Sequence, residues 1–106
     1  MGERNKIYER IPDSYYKIAD YYYKKKEFSK ALDYYNKVTR NYHAYQDTPW
    51  GLFQIASIYK NTRKYNKAIK IFSKLISEHA DDYWARQAEW KLDDTIWEYE
   101  YRAVLK

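Results

Sequence analysis

The side chains that could catalyse a reaction are two pairs of adjacent carboxylates and two histidines. The carboxylate pairs are Asp81-Asp82 and Asp93-Asp94. Adjacent residues on a helix point to different faces, so neither pair is predicted to form an acid/base dyad, and the first is better explained as a helix cap. His43 and His79 stand apart near predicted helix ends, whereas a metal site needs several converging ligands. We therefore predict no catalytic residue and no metal site.

The sequence also lacks the residues and motifs of other common catalytic and cofactor-binding sites. The chain has no cysteine, which excludes disulfides and thiolate zinc sites, and it has only two glycines, with which a phosphate-cradling loop is hard to build. No nucleotide-binding, zinc-protease or hydrolase motif is present. We predict that the protein is not an enzyme, carries no cofactor and has no small-molecule substrate.

Aromatic residues are unusually abundant in this sequence. They make up 21% of the 106 residues, which offsets a mean hydropathy of -1.02. Aromatic side chains are enriched at binding hot spots because they bury a large area at little entropic cost. Helix-spaced aromatics are also common in cores, and we assign about half of them to ordinary packing. Six are predicted to line a partner-binding groove: Tyr16, Tyr23, Trp50, Phe53, Trp90 and Trp97.

A repeat of 37 residues positions these aromatics. Seven positions keep their character at that offset, and Tyr16, Phe53 and Trp90 occupy one position of three successive units. Repeats of this length are typical of stacked helical hairpins. We predict helices at 13–25 and 28–42, then a helix that starts with a Thr48 cap and Pro49, then 65–79. The class is all-α, with repeat one at 12–42 and repeat two at 48–79.

The fifth helix, predicted at 82–105, is too long for one arm of a hairpin. At the constant offset, Ala19 and Ala56 are followed by Asp93, where a close helix crossing would require a small residue. We interpret this helix as a terminal cap, because repeat arrays need a polar outer face at their ends. The whole of 1–106 is then one domain.

The repeated Ile-Ala, Tyr, Phe/Tyr, Ala and aromatic pattern resembles the tetratricopeptide repeat. The resemblance covers 12–98 and implies a right-handed superhelix whose concave face holds a peptide or a helix of a partner protein. Its linkers at 11–14 and 81–88 are similar to those of bacterial cell-envelope members, such as an outer-membrane assembly lipoprotein and the Tol–Pal coordinator. This likeness implies a periplasmic or envelope location and leaves the cytoplasm open.

The charge distribution leaves two alternatives open. Residues 1–80 have a net charge of +8 and residues 81–106 a net charge of -3. The basic face could bind nucleic acid, although its lysines lie at turns and outward faces, away from the groove aromatics. The acidic fifth helix could also dock on the basic first hairpin of another copy and build a homo-oligomer. No apolar run is long enough to cross a membrane.

Overall fold

Helices account for nearly all of the chain that the computed structural model describes. It describes the backbone of residues 2–105 and the side chains of residues 11–102 and 104. The helices are α1 Gly2–Lys24, α2 Phe28–Asn41, α3 Thr48–Asn61, α4 Tyr65–Glu78 and α5 Tyr83–Leu105. No strand occurs within the described backbone. The predicted all-α class, with helical hairpins followed by a long C-terminal helix, is confirmed.

The chain divides into two compact units, Met1–Gly51 and Leu52–Lys106. The first contains α1, α2 and the first turn of α3. The second contains the rest of α3 together with α4 and α5. The single domain over 1–106 with repeats at 12–42 and 48–79 stays a prediction.

The first unit is built on an α1–α2 hairpin with small residues buried between its helices. Ala19 on α1 and Ala31 on α2 are completely buried, so the two helices approach closely. This approach buries the side chains of Tyr35 and Val38 from α2. These α2 residues lie on the face that the helical periodicity predicts.

The second unit repeats this arrangement around α4. Ala56 and Ala68 take the places of Ala19 and Ala31 and are also completely buried. The core cluster draws residues from all three helical segments of the unit: Leu52, Ala56, Ala68, Phe72, Leu75, Ala85 and Ala88. Lys60 Nζ lies 3.0 Å from Glu98 Oε1, which joins α3 to the C-terminal half of α5.

Helix α1 begins earlier than predicted. The expected start after Pro12 is wrong, because Pro12 lies inside Gly2–Lys24 and is buried. A proline within a helix removes one backbone donor, but it does not force the helix to end there. The segment 11–14 is therefore helical and is not a linker between helices.

The cap of α3 also differs from the prediction. The backbone N–H of Gly51 donates to the Asp47 carbonyl at 3.0 Å, so the first bond of the helix reaches back to Asp47. The Thr48 hydroxyl donates to the Tyr42 carbonyl at 3.1 Å and closes the preceding loop. The predicted Thr48 cap is thus one residue late. The Asp82 cap of α5 is confirmed, since its Oδ1 accepts the Trp84 N–H at 2.8 Å.

The two hairpin turns share one hydrogen-bonding pattern. After α1, Glu27 N–H donates to Tyr22 O at 3.0 Å and Lys26 N–H donates to Tyr23 O at 2.9 Å. The same pair of bonds recurs 37 residues later at Lys64 and Arg63. This is a Schellman motif, whose central residue adopts a left-handed conformation that favours glycine. Here the position is occupied by Lys26 at φ 60° and Arg63 at φ 64°.

Replacing Lys26 or Arg63 with glycine should stabilise the protein. A side chain costs about 1–2 kcal/mol in this conformation, and the greater freedom of unfolded glycine offsets up to about 1 kcal/mol of that. Urea unfolding should therefore show a gain of about 0.5–1 kcal/mol for each variant. The control Lys24→Gly, in the last helical turn of α1, should instead lose up to about 1 kcal/mol. Equal losses at positions 24 and 26 would contradict this account of the turn.

Candidate partner-binding surface

The six predicted groove residues lie in very different surroundings. Tyr16 is only 3% exposed and is part of the core of the first unit. Its ring stacks on Tyr45 at a centroid distance of 6.0 Å and packs against Tyr35 at 6.4 Å. Almost none of its surface remains for a partner to contact.

Gly51 explains how Tyr16 fits beneath the start of α3. A Cβ atom at Gly51 would lie 2.9 Å from Tyr16 Cε1 and 2.6 Å from Thr39 Cγ2. Both distances are shorter than a normal contact between carbon atoms. The absence of a side chain at Gly51 therefore lets the helix backbone lie directly on the tyrosine ring.

The Tyr16 hydroxyl is buried without a hydrogen bond of good geometry to any described residue. Burial raises the pKa of Tyr16 to about 12, because the phenolate would lose its hydration. The nearby Thr48 hydroxyl lowers the pKa in part, and the carboxylates of Asp47 and Asp20 raise it further. The ring is consequently held in its neutral form.

Tyr23 and Trp50 are half-buried in the first unit. Trp50 Nε1 donates to Asp20 Oδ1 at 3.1 Å, and the Tyr35 hydroxyl donates to the same carboxylate oxygen. Tyr23 packs edge-on against Phe28, with ring centroids 5.6 Å apart. Asp20 was not among the predicted residues, although a carboxylate within an aromatic cluster is a recognisable hydrogen-bond acceptor.

Phe53 belongs to the packed part of the second unit. Its ring lies 5.9 Å from Phe72 and 5.0 Å from Trp84, and it covers the core cluster of that unit. Phe53 is half-buried, so a substitution there would disturb packing as well as any binding.

Trp90 and Trp97 present their rings to solvent on α5. Trp90 is 77% exposed and Trp97 is 56% exposed, and the Trp97 ring stacks on Tyr101 at 4.8 Å. Three further exposed residues lie on the same side of the helix, and sequence reasoning missed them: Tyr83, Tyr101 and Val104. We call these five residues the α5 aromatic face.

The seven-residue spacing of the α5 aromatic face is the sequence pattern from which this surface could have been predicted. Tyr83, Trp90, Trp97 and Val104 follow one another at intervals of seven residues. Seven residues are nearly two helical turns, so the four side chains form one row along the helix. The opposite side of α5 carries Ala85, Ala88 and Thr95, which are buried.

Acidic side chains border this row. Asp93, Asp94 and Glu100 are exposed, and none of them lies within 4 Å of a cation among the described side chains. Asp94 falls between Trp90 and Trp97 on the helix surface. The surface therefore combines a hydrophobic row with carboxylates that form no ion pair with a described side chain.

Two kinds of feature are absent from the described residues. These residues include no group of three or more potential metal-ligating side chains. Within the same residues, no helix has the length and hydrophobicity that crossing a bilayer requires.

Comparison with known proteins identifies the repeats. A family model described as Tetratricopeptide repeat matches residues 13–42 and 51–82, which together exceed half of the chain. No curated protein matches significantly.

Replacing Tyr16 with phenylalanine should change how stability depends on pH. The tyrosine pKa is about 10 in an unfolded chain and about 12 in the fold, so the unfolded state loses its proton first as the pH rises. The parent should therefore lose about 2–3 kcal/mol from this group between pH 10 and pH 12, and Tyr16→Phe should not. Urea unfolding at a series of pH values from 8 to 12 measures the difference.

Tyr83→Phe is the matched control, because its ring is exposed to solvent in the folded protein. At pH 7, Tyr16→Phe should be as stable as the parent or more stable, since it removes a poorly satisfied buried hydroxyl. A stability difference between parent and Tyr16→Phe that stays constant from pH 8 to pH 12 would refute the buried assignment.

Proposed function

Because the chain belongs to the tetratricopeptide repeat family, whose members mediate protein–protein interaction, we propose that it is a non-catalytic scaffold that binds a polypeptide segment of a partner protein. The observation that carries this proposal is the α5 aromatic face. Large aromatic rings that stay in solvent on a folded domain commonly mark an interaction surface.

Within the predicted groove, Trp90 and Trp97 are the strongest candidates for partner contact. Both offer a large accessible ring. Tyr16 is buried, and Trp50 and Phe53 already pack or hydrogen-bond inside their own units. We therefore assign direct contact to the α5 aromatic face and a supporting role to the other groove residues.

The basic surface of the first unit gives less support to nucleic-acid binding. Lys30 Nζ lies 5.4 Å from the centre of the Tyr22 ring, and Lys37 Nζ lies 5.8 Å from that of Tyr15. The Tyr22 and Tyr34 rings stack on one another at 5.9 Å. These tyrosine faces are engaged by neighbouring side chains, whereas a single-strand binder needs rings on which bases can stack.

A narrower role in bacterial envelope assembly rests on the linker likeness alone. Half of that likeness is lost, because residues 11–14 continue α1 instead of linking two helices. Fractionation of cells that express the protein, followed by immunodetection, would test the location. Recovery of the protein only in the cytosol would contradict an envelope role.

A peptide selected on the protein should depend on Trp90 and Trp97. Panning a displayed peptide library on the immobilised protein supplies a ligand, and calorimetry measures its affinity for the variants. Trp90→Ala and Trp97→Ala should each lower binding by about 2 kcal/mol, the usual loss at a hot-spot aromatic. The control Tyr21→Ala removes an exposed ring of the first unit and should change binding by less than about 0.5 kcal/mol.

Thermal melts of the same variants should stay close to that of the parent, because both tryptophans are exposed. Selection that enriches no peptide would refute the scaffold role. Steeply salt-dependent binding of single-stranded DNA, lost when Lys24, Lys25 and Lys26 are neutralised, would support the nucleic-acid alternative instead.

A further inference from the structure

One repeat position occurs in three different environments along the chain. Tyr16 on α1 is covered by Tyr35 of the following helix, and Phe53 on α3 is packed against Phe72 of its following helix. Tyr35 and Phe72 are themselves one repeat apart. Trp90 is the third residue at this position, and its ring is 77% exposed. In both hairpins, therefore, a ring of the second helix packs against a position that remains open on α5.

Helix α5 does not turn where α1 and α3 turn. The hairpin turns lie at residues 25–27 and 62–64, and the third equivalent segment is 99–101. These residues are helical, and α5 continues to Leu105. Among the described non-glycine residues, Lys26 and Arg63 have a positive φ, and no residue of the third segment does. The chain therefore makes no third hairpin turn of this kind at residues 99–101. No helix is brought back over Trp90 by such a turn.

The open surface is long enough for a helix of ordinary length. The row from Tyr83 to Val104 spans 21 residues, which corresponds to about 31 Å at the rise of an α-helix. The two covering helices of the chain, α2 and α4, have 14 residues each and would span about 21 Å. A helix of that size fits along the α5 aromatic face.

Charge specifies what kind of helix fits. The small residue at the helix crossing, Ala19 in the first unit and Ala56 in the second, is replaced by Asp93 in α5. Asp93 and Asp94 have no cation partner among the described side chains. A covering helix must bring lysine or arginine to this point, because burying an unpaired carboxylate is costly. Both α2 and α4 carry a net charge of +2, which shows that covering helices in this chain are basic.

We propose that the α5 aromatic face binds a basic amphipathic helix of another protein, which lies on α5 as α2 lies on α1. The inference rests on the proposed scaffold function and names its surface and its partner class. The partner helix inserts apolar side chains around Trp90 and Trp97 and places cations opposite Asp93 and Asp94. This is recognition of a helix through one hydrophobic face with flanking charge complementarity.

A second copy of α5 is a poorer occupant of the same surface. The row from residue 83 to residue 104 has its midpoint at Asp93 and Asp94. A two-fold antiparallel pairing about that midpoint would bring four carboxylates together, and like charges at close range repel. The charge pattern therefore favours a basic partner over an identical one.

The probe for this test is a peptide of residues 28–41 with blocked ends, the α2 segment that covers α1 in the same chain. Nuclear magnetic resonance of the ¹⁵N-labelled full chain follows its four indole N–H signals during titration with the peptide. The signals of Trp90 and Trp97 should shift, and those of Trp50 and Trp84 should stay in place. Trp90→Ala should weaken binding of the peptide by about 30-fold, the loss typical of a hot-spot ring.

A charge exchange makes the test specific. The double variant Asp93→Lys, Asp94→Lys should bind the basic peptide at least tenfold more weakly, and it should gain binding to a peptide whose Lys30, Lys37 and Arg40 are changed to Glu. The control double variant Asp33→Lys, Glu78→Lys changes the net charge equally. These two exposed residues lie on α2 and α4, away from the α5 aromatic face, so the control should bind both peptides as the parent does.

The outcomes separate this inference from the scaffold function. If library-selected peptides bind through Trp90 but the basic peptide does not, or the charge exchange has no effect, the inference is overturned and the scaffold function stands. If no peptide of either kind binds, both fall. If sedimentation shows that the protein self-associates and Trp90→Ala abolishes this, the occupant is a second copy, and the inference is overturned.

Discussion

The close crossing of two helices on alanine is the constraint from which each hairpin follows. Ala19 and Ala31 are completely buried in the α1–α2 hairpin, and Ala56 and Ala68 are completely buried at the equivalent positions of the second unit. A larger side chain at any of these positions would separate the helices. Because the backbones approach closely, one aromatic ring from the second helix, Tyr35 or Phe72, is buried without any exposed surface.

Helix α5 lacks the alanine on which the other helices cross. Asp93 occupies the position of the alanines and is exposed, while Ala85 and Ala88 on the other side of the helix still pack into the core. The same helix therefore completes the second unit with one side and leaves the other side in solvent. The Asp93 carboxylate, which prevents a close helix crossing, also lies beside the exposed tryptophans. The replacement of alanine by aspartate at this position therefore leaves open the surface to which we assign binding.

Residues at one repeat position need not share one role. Tyr16, Phe53 and Trp90 look equivalent in the sequence, and all three were predicted to line a groove. The structure buries the first, half-buries the second and exposes the third, because neighbouring rings pack on Tyr16 and Phe53 whereas most of the Trp90 ring is in solvent. Tyr83 and Val104 were not predicted as binding residues. A row of side chains at seven-residue intervals indicates a binding surface only when the structure shows that this side of the helix is exposed.

Local sequence determined the helices, the positions of the hairpin turns and the small residues at the crossings, because periodicity and side-chain size act over short distances along the chain. The α5 cap at Asp82 is local in the same sense. Tertiary structure decided what local signals left ambiguous. Pro12 lies inside a helix that was expected to start after it, and the Thr48 hydroxyl bonds to Tyr42 instead of capping α3. Above all, tertiary structure decided which aromatic rings reach solvent, since the exposure of a ring depends on covering residues that lie far away in the sequence.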